Sequence, residues 1–107
     1  VHGEPSGYRR IVLCDLSSAT NIASMETLPK NLNESTVRPV SKSTFIDLLD
    51  PHLGIANDRT PAKFEGLTFG PDLPDGRKTL VISVDNDFRR DNPTVFYCLA
   101  VTPEEFR

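Results

Sequence analysis

Four oxygen-bearing side chains in one stretch of this chain could hold a hard cation. Glu65 and the run Asp85-Asn86-Asp87 lie near opposite ends of KFEGLTFGPDLPDGRKTLVISVDNDF, residues 63–88, in which two apolar runs flank a Gly/Pro/Asp turn. A hairpin over this stretch would present both acidic groups. The stretch contains no Cys or His, and oxygen donors alone select calcium or magnesium rather than zinc. Each group also has a plainer reading. Glu65 could be a strand carboxylate paired with Lys63 or Arg77, and Asp and Asn are the residues that build turns by accepting backbone hydrogen bonds. The spacing is not that of an EF-hand, because the loop glycine and terminal glutamate are missing.

Other chemistries leave no signature. His2 and His52 have no Ser, Asp or Glu partner at a recognisable spacing, and the sequence has no G-x-S-x-G elbow, Walker loop, Rossmann glycine motif or H-E-x-x-H. Arg77 and Lys78 could offer a positive edge to an anion, but basic pairs at hairpin ends are usually solvated. A net charge of −3 and a pI near 5.3 leave no basic footprint for nucleic acid. No apolar run approaches the roughly 20 residues that span a bilayer. Cys14 and Cys98 sit inside apolar runs outside any C-x-x-C pattern, which predicts two separate buried thiols rather than a zinc site or a disulfide.

The elements that would position the acidic groups are mostly strands. Tyr8–Leu16 is β-branched and apolar enough for a first strand that Ser17-Ser18 end. Residues 19–41 turn polar, with Pro29, Asn31, Asn33 and Pro39 breaking any period, so they read as an insertion or long loop. That loop carries Asn33-Glu34-Ser35, a formal glycosylation sequon. Ser43–Leu53 fits either a helical stripe or a short Thr44-Phe45-Ile46 strand ending in a turn; the strand is preferred. Lys63–Phe69 alternates as a strand, Asp75-Gly76 is a hairpin signal, and Thr79–Val84 is the clearest strand. Thr94–Val101 shows no alternation, as expected of a strand buried on both faces. Thr102-Pro103-Glu104-Glu105 has the form of a capping box at the chain's end.

Aligning YRRIVLCDLSSA with PTVFYCLAVTPE sets Cys14 opposite Cys98 at an offset of 84 residues, about 61 once the insertion is discounted. Propeller repeats run to roughly 40 to 50 residues per four-stranded blade. The order would then be third and fourth strands of one blade, followed by three strands of the next. Equivalent strands of adjacent blades do not meet, which also argues against a Cys14–Cys98 disulfide. The length fits one domain, and nine Pro, no Trp and 7% aromatics fit a turn-rich β chain. The start at Val1 without Met predicts excision from a longer product, and the abrupt end predicts a fragment.

Lys63-Phe64-Glu65-Gly66-Leu67, the Gly70-Pro71 and Leu73-Pro74-Asp75-Gly76 turn, the strand Thr79–Val84 and Asp85-Asn86-Asp87-Phe88 together resemble the signature of the phytase-like family described by esterase-like activity. Lys42–Leu49 and Thr94–Leu99 resemble flanking strands of that family, so the resemblance covers residues 42–101. It implies an all-β fold, an antiparallel four-stranded-blade β-propeller of which residues 1–107 would be the C-terminal blade and a half. It implies a calcium site with Glu65 as foremost ligand and Asp85, Asn86 and Asp87 as further candidates. It implies a periplasmic or extracellular, secreted protein, with the remaining blades of the full-length chain as partners.

Two functions follow. One is a calcium-dependent hydrolase of a small phosphate or carboxylic ester, whose catalytic residues this stretch does not identify; the absence of a dense Lys/Arg cluster sets it apart from an inositol-phosphate enzyme. The other is a non-catalytic propeller that binds a ligand or protein and uses calcium to cross-link blades. An autonomous small β domain is a third architecture, separable because a lone blade and a half should aggregate through its strand edges.

Overall fold

A computed structural model describes residues 7–34, 36–58, 60–61 and 63–106. The described chain is all-β apart from three short 3-10 turns, and its five strands form two open sheets. It divides into two compact units, residues 10–46 and the remainder.

In the first unit, β1 (Arg10–Asp15) and β2 (Ser41–Asp47) make a two-stranded sheet. The strand reading of Thr44-Phe45-Ile46 therefore holds, with the chain turning after Asp47. β1 stops where the Asp15 carboxylate accepts a hydrogen bond from the Ser17 N–H at 2.9 Å. Residues 16–40 form the expected long loop, with a single 3-10 turn at Leu32–Glu34. Its base is tied by a reciprocal pair: the Thr20 N–H donates to the Arg38 carbonyl at 2.9 Å, and the Arg38 N–H donates to the Thr20 hydroxyl at 2.7 Å. Asn33 of the sequon lies in the 3-10 turn, and Ser35 lies outside the described residues. No described residue of this unit is fully buried.

The second unit holds the core. β3 (Gly66–Phe69), β4 (Lys78–Val84) and β5 (Val95–Val101) pair antiparallel in that order. Ile82 stands opposite Leu67 on one side and Tyr97 on the other. Alternation on β4 sends Leu80, Ile82 and Val84 inward, where with Leu48, Ile55 and Val101 they make up the buried apolar set. Ring contacts cover the same face: Phe64 lies against Tyr97 with centroids 5.9 Å apart, and Phe106 against Phe69 at 5.5 Å.

The opposite face is open, which corrects two expectations. β5 is not buried on both sides; Phe96 is 65% exposed and Cys98 and Ala100 are exposed, because no described residue of the unit covers that face. An unbroken apolar run therefore hid an alternating environment. Cys14 and Cys98 are free, as the sequence predicts, but exposed rather than buried.

The β3–β4 connection is the turn that Asp75-Gly76 announces. Gly76 sits at φ +88°, its N–H bonds the Leu73 carbonyl at 3.0 Å, and the Asp75 carboxylate accepts from the Arg77 N–H at 3.1 Å. Gly76→Ala forces a side chain into the left-handed region, at a cost of about 1 kcal/mol. It should lower the unfolding midpoint in urea by that amount and leave cation binding unchanged. At the chain's end half of the capping box forms: the Thr102 N–H donates to the Glu105 carboxylate at 2.6 Å ahead of the 3-10 turn Pro103–Phe106, while the Thr102 hydroxyl donates to the same carboxylate at 2.8 Å. No helix among the described residues is long and apolar enough to cross a membrane.

Candidate metal centre

Three of the four acidic or amide side chains converge. Glu65 precedes β3, Asp85 and Asp87 follow β4, and antiparallel pairing of Gly66 with Ser83 brings the two chain segments to one end of the sheet. The Glu65 N–H donates to the Ser83 carbonyl at 3.0 Å, which fixes the approach. A Cβ on Gly66 would meet the Ser83 hydroxyl, so the glycine permits the close packing of the strands next to Glu65. One carboxylate oxygen from each of Glu65, Asp85 and Asp87 lies within 4.8 Å of the others, and all three residues are exposed.

The loop after β4 is wound tightly to achieve this. The Asp85 carboxylate accepts from the Asp87 N–H at 2.8 Å, the Asn86 side-chain oxygen accepts from the Phe88 N–H at 3.1 Å, and the Asn86 carbonyl accepts from the Arg89 N–H at 2.9 Å. Asp87 and Phe88 both adopt positive φ, 52° and 58°. Asp tolerates that conformation, whereas Phe does not, and Phe88 gains nothing from packing because its side chain is fully exposed. Phe88→Gly should therefore stabilise the fold by about 1 kcal/mol, read as a higher denaturation midpoint. Asn86 is half-buried, and its side-chain oxygen serves the turn.

The electrostatics follow from crowding like charges. Glu65 titrates above its ordinary value, first because its carboxyl shares a hydrogen bond with Asp85, then through repulsion from the Asp85 charge. Asp87 adds to the repulsion, and Lys63 partly opposes it. Glu65 is thus paired with neither basic residue that the sequence offered. Lys63 lies 3.8 Å from Asp87, Arg77 binds Asp75 at 2.8 Å, and Lys78 binds Asp72 at 2.7 Å. The last two pairs brace the hairpin turn.

A divalent ion fits such a group. Calcium binds oxygens at about 2.3–2.6 Å, so two oxygens sharing one ion lie no more than about 5 Å apart. The observed spread is within that limit. An ion entering here would relieve the repulsion that raises the titration of Glu65.

Beside the trio is a cavity of about 660 Å³, lined by the ends of β4 and β5, the loop between them, and residues 57–58, 60–61 and 63. The sequence gives no sign of it, since its walls come from segments far apart in the chain. His52 lies elsewhere: its ring bonds the Asp50 carboxylate at 2.9 Å in an exposed 3-10 turn, so it does have an acidic neighbour, two residues away. His2 lies outside the described residues.

A family model described as phytase-like, with esterase-like activity of phytase, matches residues 3–88. The match takes in β1, the long loop 19–41 and the whole acidic trio, and ends before Thr94–Leu99. No curated protein and no solved structure matches the chain.

Proposed function

The chain belongs to the phytase-like family described by esterase-like activity of phytase, and from that membership we propose that it is part of an ester hydrolase in which Glu65, Asp85 and Asp87 hold a calcium ion. The observation that carries the reading is the convergence of three carboxylates from two strands to within 4.8 Å. The fold we propose for the full-length chain is a β-propeller, with β1 and β2 ending one blade and β3, β4 and β5 beginning the next. Other blades and water would complete the six to eight oxygens that calcium takes.

In such a hydrolysis a water oxygen bonds to the phosphorus or acyl carbon, the bond to the leaving oxygen breaks, and the leaving oxygen takes up a proton. A bound cation supplies neutralisation of the charge that develops on the ester oxygens. The residues of this chain hold and release protons around it. Glu65 holds its proton more tightly than an ordinary glutamate because it lies against Asp85, and Lys63 lies 3.8 Å from Asp87.

A second reading, a non-catalytic propeller with a structural ion, is favoured by one feature: the trio ties the start of β3 to the loop after β4, where an ion would brace the sheet. The two separate on hydrolysis of 4-nitrophenyl phosphate and 4-nitrophenyl acetate by the full-length protein with calcium or with chelator. Turnover that disappears with chelator supports the hydrolase. Calcium-dependent thermal stabilisation without turnover of either ester overturns it in favour of the structural ion.

A further inference from the structure

The cavity beside the trio has a composition that selects a ligand. Its described lining includes four carboxylates, from Asp58, Asp85, Asp87 and Asp91, against two cations, Lys63 and Arg89. Both cations face carboxylates already, Lys63 at 3.8 Å from Asp87 and Arg89 at 3.6 Å from Asp91. The described lining thus carries a net charge of −2, which a single divalent ion would bring to zero. The charge of the described lining repels a polyanion rather than attracting one.

Apart from Asn57, Thr60 and Asn92, the rest of the described lining is apolar. Val84 and Val95 stand opposite each other on the inward face of β4 and β5, and Tyr97 follows two residues along β5 on the same face. Phe64 backs the Tyr97 ring at 5.9 Å and 48°, which holds it in place, and Pro61 and Pro93 add rigid rings to the lining. Aromatic and proline surfaces of this kind take a planar apolar group, since ring contacts add to the gain from buried area.

We propose that this cavity receives the aromatic group of a small monoester, with Tyr97 as its principal contact, and that it discriminates against multiply phosphorylated substrates. The proposal rests on the hydrolase reading for the identity of the bond cleaved, but the cavity and its preference are properties of its described lining on β4, β5, the loop between them, and residues 57–58, 60–61 and 63.

The test uses phenylphosphonate, methylphosphonate and inositol hexakisphosphate as non-reacting probes, titrated calorimetrically into the full-length, calcium-loaded protein. Phenylphosphonate is expected to bind about tenfold or more tightly than methylphosphonate, the return from burying one ring. Inositol hexakisphosphate is expected to bind more weakly than phenylphosphonate. Tyr97→Ala should erase the phenyl preference and Tyr97→Phe should keep it, with calcium affinity unchanged in both. If Tyr97→Ala fails to fold, Tyr97→Leu, which fills the core without a ring, should bind phenylphosphonate more weakly than Tyr97→Phe does. Equal binding of the two monophosphonates, tighter binding of the hexakisphosphate, or a phenyl preference that survives loss of the Tyr97 ring overturns the proposal. Failure of the metal reading looks different: no calcium heat, with the phenyl-over-methyl ratio intact in chelator.

Discussion

Glu65→Gln is expected to raise the melting temperature of the calcium-free protein at neutral pH while weakening calcium binding by about tenfold or more. The two effects have one origin. Without a cation, the Glu65 charge lies against Asp85 and Asp87, and the neutral amide removes that repulsion. With calcium, the same substitution removes one of three anionic ligands. The pH dependence has a defined sign. Glu65 titrates higher in the folded chain than its ordinary value of 4.5, so the stability contributed by its protonated form is fully present below that value. It is lost as pH rises through the folded value. The calcium-free wild type should therefore lose stability over that interval relative to Glu65→Gln, and calcium should restore it. Asp75→Asn is the control: its carboxylate serves the Arg77 N–H in the hairpin turn, and its loss should leave calcium affinity alone. Equal, small effects of both substitutions on calcium affinity would return Glu65 to an ordinary surface carboxylate.

The largest effect on stability is expected at Ile82. It lies at the centre of β4, is 2% exposed, and faces Leu67 and Tyr97 across its two neighbours. Truncation to Ala should cost about 2–5 kcal/mol, since the flanking strands cannot close over the space without breaking their register. Against a total stability of about 5–15 kcal/mol, that is enough to unfold a large fraction of the chain in mild denaturant. Val12→Ala on β1 makes the contrast, because Val12 is 45% exposed and its loss should be several-fold cheaper. Comparable losses at both positions would mean that residues 10–46 bury more than their surfaces indicate.

How much of this could be read from the chain depends on whether the cause is local. Thr79–Val84 is a short β-branched and apolar run bounded by turn formers, and β4 runs Lys78–Val84. Asp75-Gly76 specifies a turn through the positive φ that only glycine takes freely, and the turn is there. The acidic residues were visible by type, and a hairpin between them is enough to bring them to one end of a sheet. What the sequence withheld depends on partners. The outer face of β5 is exposed because no described residue of its unit covers it, which Phe96, Cys98 and Ala100 cannot announce. Lys63 lies at Asp87 rather than Glu65, and the loop at Asp87 and Phe88 takes left-handed backbone, a conformation rare for Phe and not signalled by it. Tyr97 reads as one more apolar strand residue, and only the register with Ile82 and the contact with Phe64 place it at a cavity.

The most direct measurement of the central claim is a calcium titration of the full-length protein by calorimetry in buffers of differing ionisation enthalpy, near the pH at which Glu65 titrates. Binding of one ion should release protons, because calcium displaces the one held between Glu65 and Asp85. The triple variant Glu65→Gln, Asp85→Asn, Asp87→Asn should lose both the binding and the proton release. Calcium binding that is unchanged in the triple variant, or no binding by the wild type, would contradict the assignment of these three carboxylates as a metal centre.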